Sequence, residues 1–136
     1  MNASQRPPLP DGIVAVVKRD CPTCELVAPV LVELASQLAL TVYTQDDPGF
    51  PDGVAAVDDT DLAVSWHHEI EAVPTLIRVE KGKERARTLG WHRGDWEDLT
   101  GLTGLGAGLP DWRLSACEFS PGRQYRLVRS SAAVGV

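Results

Sequence analysis

The stretch Gly12-Ile13-Val14-Ala15-Val16-Val17-Lys18-Arg19-Asp20-Cys21-Pro22-Thr23-Cys24 decides how this chain is read. Its first half is a continuous apolar run, the pattern of a central strand buried on both faces. Its second half places two cysteines, two residues apart, where that strand stops. From Cys21 to Leu40 the residues Leu26, Val27, Val30, Leu31, Leu34 and Leu38 recur at three- and four-residue spacing, one apolar stripe of a helix. Pro22 suits the first turn, where its missing N–H costs nothing. Strand, cysteine pair and helix in that order is the layout of a dithiol redox site. A helix N-terminus offers unpaired N–H groups and the positive end of the helix dipole, and both favour a thiolate. The thiolate attacks in disulfide exchange, and a second cysteine one turn on can close on the first.

A lone C-x-x-C is also half of a zinc site, so the spacing of other features matters. Pro29 falls inside the helical pattern and predicts a kink there. Val73-Pro74-Thr75 opens the run Thr75-Leu76-Ile77-Arg78-Val79, followed by Glu80-Lys81-Gly82-Lys83 and Gly90. In these features the chain resembles the thioredoxin-like superfamily, roughly from Gly12 to Leu102. The resemblance implies an α/β fold, thioredoxin-like and minimal: a four-stranded mixed sheet flanked by helices, with an irregular C-terminal extension. It implies that Pro74 is a cis-proline facing the dithiol across a groove. Val73 would be held extended beside Cys21, so that a partner's chain can pair with it. Pro22, Thr23, Val73, Pro74, Thr75 and Trp91 would line that groove. Cys21 is the expected nucleophile and the more exposed thiol; Cys24 is the resolving thiol, one turn in and more buried. The activity implied is thiol–disulfide exchange with a disulfide-containing protein or small-thiol substrate, restored by an external reductant. No organic cofactor and no metal is required.

The rival reading is a binding module of the same fold, whose dithiol holds a metal or only docks a partner. Zinc needs four ligands, so Cys117 or a histidine would have to complete the site. Cys117 reads as a spare thiol or as a relay cysteine for the pair. His67 and His68 are adjacent on a helix end, point apart, and read as solvated; His92 reads as a helix-start residue. Thr23 either bonds the thiolate or caps the helix. Trp91 either anchors a partner or packs on the closing helix. Lys18 and Arg19 favour the thiolate and Asp20 opposes it.

The chain also departs from the family. The position of the family's buried aspartate is Ala15, that of its lysine partner is Thr44, and Asp20 replaces the usual tryptophan before the first cysteine. Glutathione-site residues are not recognisable.

Around this centre, Leu40 to Thr44 reads as a second strand parallel to the first. Asp46 to Gly53 is a turn-rich loop. Asp58-Asp59-Thr60-Asp61 supplies capping oxygens for a short helix through about His68. Thr75–Glu80 and Glu84–Leu89 read as a hairpin, and Gly94 to about Gly101 as a closing helix with Trp96 and Leu99 facing in. Residues 1–11 read as a disordered leader, 12–102 as the thioredoxin-like domain, and 103–136 as an extension of uncertain structure. The net charge of −6 argues against nucleic acid and anionic membrane as partners. No apolar run approaches the ~20 residues of a membrane span. The N-terminus has no apolar signal core, and a cytoplasmic location follows as the expectation.

Overall fold

The computed structural model describes residues 7–113 of the 136. Among these residues, seven strands and three helices run in the order β1 (Gly12–Val17), α1 (Pro22–Ala35), β2 (Leu40–Thr44), β3 (Ala56–Asp58), α2 (Ala63–His67), β4 (Thr75–Glu80), β5 (Lys83–Leu89), β6 (Trp91–His92), α3 (Arg93–Thr100) and β7 (Trp112–Arg113). The main sheet has five strands in the order β3-β2-β1-β4-β5. It is mixed: β1 is parallel to β2 and β2 to β3, whereas β4 is antiparallel to both β1 and β5.

The apolar run does become the central strand. Ile13 to Val17 are all buried, with Ala15 opposite Val42 on one side and Leu76 on the other. In α1 the stripe Val27, Val30, Leu31 and Leu34 is fully covered. Leu26 and Leu38 pack on its margin.

The expected four-stranded sheet is corrected to five strands. The addition is β3, three residues long with Val57 exposed, too short and too polar to show a strand period. The first helix is also shorter than expected. It ends at Ala35 with Ser36 as its cap, since the chain must turn to enter β2. That turn lies against Gly12: Ile13 N–H donates to Ala39 O at 3.0 Å, and a Cβ on Gly12 would meet the same oxygen at 2.8 Å. The helix runs through Pro29 without ending there.

The hairpin turn is carried by Lys81 and Gly82, both at positive φ, the conformation a tight two-residue turn needs. Asp11 grips it from outside the strands: its carboxylate accepts the N–H groups of Lys81 at 3.1 Å and Gly82 at 2.9 Å. Leu9 packs on the core, and Pro7 O lies 2.6 Å from His68 Nε2. Residues 7–11, expected within a disordered leader, are thus tied to the body of the fold.

The closing helix packs on β4 and β5 with Trp96 and Leu99 buried. The first part of the expected irregular extension follows it. It folds back so that β7 pairs with β6, placing Trp91 opposite Arg113 and His92 opposite Trp112. Cys117 and the rest of the extension lie outside the described residues.

Candidate functional site

The C-terminal end of β1 delivers the chain directly to Cys21, the N-cap residue of α1. A capping residue must turn an acceptor back onto the first helical turn. Here the acceptor is sulfur: Cys21 Sγ receives the Cys24 N–H at 3.2 Å. Cys21 Sγ also faces Val73 O, 3.8 Å away, to which the thiol donates. Cys24 Sγ in turn receives the Lys18 N–H at 3.5 Å. Both cysteines are buried.

Sequence reasoning makes Cys21 the more exposed of the two thiols. The structure buries it to 1% exposure, against 0% for Cys24. The cause is the capping geometry, which folds the sulfur inward over the helix end and against the Val73 carbonyl.

Val73, Pro74 and Thr75 lie at the start of β4 opposite the dithiol, and all three are buried. The Val73–Pro74 peptide bond is cis. Two hydrogen bonds brace the segment: Thr75 Oγ1 donates to Ala72 O at 2.7 Å, and Gly90 N–H donates to Pro74 O at 2.8 Å. Of the inter-cysteine pair, Pro22 is exposed at the first helical position and Thr23 is fully buried. The structure therefore gathers Cys21, Cys24, Thr23, Val73, Pro74 and Thr75 into one region.

Trp91 is different. It is 1% exposed, packs edge-to-face on Trp96 with ring centroids 5.1 Å apart, and donates from Nε1 to Pro110 O at 2.7 Å. Gly106 lies against its ring, and the Arg93 guanidinium lies 5.7 Å from the ring centroid. Arg93 also bonds the carbonyls of Leu105, Gly106 and Leu109 and pairs with Asp111. Trp91 is thus sealed under the segment after α3, and the packing alternative holds for it rather than an open anchor.

The neighbourhood of Ala15 is apolar, as its partners Val42 and Leu76 show, and Thr44 uses its hydroxyl on Asp47 O at 2.9 Å. His68 is half-buried against Pro7, and His92 caps α3 by accepting from Asp95 N–H at 3.3 Å. Among the described residues, no three His, Cys, Asp or Glu side chains are grouped to hold a metal.

Sequence reasoning missed the acidic loop after β2. Asp46 accepts the N–H groups of Arg19 at 2.7 Å and of Asp20 at 3.0 Å. Asp47 pairs with the Arg19 guanidinium, which lies over the Phe50 ring at 5.1 Å. The Gly49 N–H, and after it Arg19, hold the Asp47 carboxyl below the usual carboxylate range, while Asp47 holds Arg19 above its ordinary value. Asp52 lies 3.6 Å from the same guanidinium. The positive charge that the sequence places before Cys21 is therefore largely answered by acid. Only the density of Asp, Gly and Pro in this loop hinted at a structured role.

Asp59, one of the acids expected to supply capping oxygens to the short helix, is buried to 1% exposure, which its sequence neighbourhood did not indicate. It accepts from Val64 N–H, Ser65 N–H and Ser65 Oγ at 2.9, 3.0 and 2.7 Å, and so holds the first turn of α2 from outside its N-cap position, Leu62. Comparison with known protein families and with curated protein sequences finds no match for this chain.

Proposed function

We propose that this chain is a thioredoxin-like thiol–disulfide oxidoreductase working through Cys21 and Cys24. One observation carries the reading: Cys21 Sγ caps α1, accepting the Cys24 N–H at 3.2 Å, while the Val73 carbonyl faces it at 3.8 Å. A helix end that donates to sulfur stabilises the thiolate needed for attack. The strands β2-β1-β4-β5 of the mixed sheet are compatible with the four-stranded arrangement the sequence resemblance implies; β3 extends it at one edge.

In the proposed cycle the Cys21 thiolate attacks one sulfur of a substrate disulfide. The substrate S–S bond breaks, its other sulfur leaves as a thiolate, and a mixed disulfide joins Cys21 to substrate. Cys24 then attacks Cys21 Sγ. The second substrate sulfur departs, leaving a reduced substrate and a Cys21–Cys24 disulfide. Two electrons from an external dithiol reductant restore the pair, in keeping with a reducing cytoplasm. With Ala15 between Val42 and Leu76, no carboxylate at that position takes the Cys24 proton. That proton passes to the departing substrate thiolate or to water. With Cys21 at 1% exposure, turnover includes an opening step that uncovers its sulfur.

The test is disulfide turnover by the reduced protein and by Cys21→Ser and Cys24→Ser variants. The expected outcome is loss of turnover in Cys21→Ser and a stable mixed disulfide on Cys21 in Cys24→Ser. Turnover no faster than that of a free small thiol, or turnover surviving Cys21→Ser, refutes the proposal. Metal analysis of the reduced protein separates it from a metal-holding dithiol.

A further inference from the structure

We infer that Asp46 is a positioning residue for Cys21, gripping the backbone that carries the sulfur and setting the charge its thiolate meets. The inference rests on the reading of Cys21 as nucleophile. The two oxygens of Asp46 divide between two consecutive N–H groups, those of Arg19 and Asp20, at 2.7 and 3.0 Å. Consecutive backbone N–H groups form a concavity that binds an anion. Immediately before the helix N-terminus, that concavity would serve a Cys21 thiolate; here a carboxylate fills it. The Cys24 N–H donates to Cys21 Sγ at 3.2 Å.

The loop is built to hold Asp46 there. Gln45 N–H donates to Val17 O at 2.9 Å, fixing the residue before it. Asp47 accepts Gly49 N–H on its side chain at 2.8 Å and Phe50 N–H on its carbonyl at 2.9 Å. Phe50 and Pro51 are buried and anchor the far end. Cys21 N–H donates back to Arg19 O at 2.7 Å, so any shift of Arg19 is passed to Cys21.

The charged groups on the elements around Cys21 include Lys18, Arg19 and Asp20 of its own turn, Glu25 in the first turn of α1, Asp46, Asp47 and Asp52 of the loop after β2, and Glu71 ahead of Pro74. Arg19 is already paired with Asp47 and lies near Asp52. The Asp46 carboxylate bonds the backbone next to the sulfur.

The experiment is the pH profile of Cys21 alkylation by iodoacetamide in the reduced full-length chain, read at the Cys21 peptide by mass spectrometry. Asp46→Asn removes the charge and one acceptor. Its midpoint should fall by roughly half a pH unit, as expected for losing one charge through a solvent-rich path. Its plateau rate should rise several-fold as the turn loosens. Asp46→Glu keeps the charge but misplaces the oxygens, so its plateau should rise with its midpoint unmoved. A midpoint unmoved in Asp46→Asn, or moved equally in Asp46→Glu, overturns the inference, since a merely structural role changes the plateau alone. Amide exchange in the unmodified protein gives a readout independent of the variants: the Arg19 and Asp20 amides should exchange at least tenfold slower than unprotected amides, and unprotected exchange overturns the grip. Alkylation needs a thiol but no disulfide substrate. A protein that fails to turn over disulfides but gives these profiles therefore sinks the proposed activity and leaves the role of Asp46 standing.

Discussion

Gly106→Ala tests how firmly the segment after α3 is locked onto Trp91. Gly106 has φ +63°, and a Cβ there would lie 2.8 Å from Trp91 Cζ2, 2.9 Å from Cη2 and 3.2 Å from Leu109 Cδ1. The ring has no room to retreat, with Trp96 against it and Nε1 bonded to Pro110 O. A left-handed backbone costs a non-glycine residue roughly 1–2 kcal/mol. Overpacking a filled site adds about 1–3 kcal/mol. The sum, about 2–5 kcal/mol, has a ceiling, because the segment can undock instead of accepting the clash. Undocking forfeits the Arg93 bonds to three carbonyls and the burial of Leu105. Gly104→Ala is the matched control: φ is +76° and nothing lies within 4 Å of its Cβ, so it carries the backbone cost alone. Urea unfolding followed by tryptophan fluorescence should show Gly106→Ala less stable than Gly104→Ala by about 1–3 kcal/mol. Amide exchange at Leu105, which donates to Glu97 Oε2, and at Arg93, which donates to Asp111 O, should accelerate in the same variant. Equal stabilities and unchanged exchange would falsify the packing of this segment on Trp91.

Other positions give separate readouts. Ala15→Asp places a carboxyl between Val42 and Leu76 and should cost on the order of several kcal/mol. Burial raises the carboxyl's folded pKa above its unfolded value, so this variant's stability should fall as pH rises between the two, the reverse of an ordinary acid limb, in urea midpoints across pH. In single-turnover kinetics the same variant should change the pH dependence of mixed-disulfide release more than that of the first attack; an equal shift in both refutes a link between position 15 and Cys24. Asp47 is depressed by the Gly49 N–H and then by Arg19, and Asp58 by the Thr60 N–H, both from 3.8. Their stabilisation is present above 3.8 and is lost as pH falls through the depressed folded values, so Asp47→Asn should flatten the acid limb of stability in that window and leave neutral pH less affected. Asp59→Ala removes three bonds to α2 and should lower stability by about 2 kcal/mol, while initial disulfide-exchange rates stay near those of the unchanged protein.

Where burial and local pattern agree, the sequence was legible. The run Ile13–Val17, the stripe Val27, Val30, Leu31 and Leu34, and the Lys81-Gly82 turn all follow from side-chain period and backbone freedom. Trp96 and Leu99 likewise face inward as their spacing indicates. What escaped depends on partners distant in sequence. The capping line of aspartates was visible, but not that Asp59 alone would be buried and hold Val64 and Ser65. That Cys21 would be nearly as buried as Cys24 escaped a local reading, which does not show a capping sulfur turned inward. The Asp46 contacts bridge 26 and 27 residues, beyond the reach of any local period. Four glycines between Gly101 and Gly108 suggested irregular chain, whereas all four take positive φ, and Arg93 gathers the carbonyls of Gly106 and its neighbours Leu105 and Leu109.

Among the described residues, the order of the main sheet leaves β3 and β5 as its two edges. An open edge is a template for unwanted pairing with another chain, and both are guarded. The β3 edge is three residues long and runs straight into Asp58, Asp59 and Asp61. The β5 edge carries Lys83, Glu84, Arg85 and Arg87, three cations to one acid. The guards are opposite in sign, so like edges repel while unlike edges attract. Self-association, where it occurs, should run head to tail through β3 of one copy and β5 of the next, an arrangement that does not close on itself by twofold symmetry. Salt weakens both the repulsion and the attraction within a screening length of about 10 Å at 0.1 M. Fibre formation by this chain should therefore respond to ionic strength and to charge changes at these two edges, rather than to changes around the cysteines.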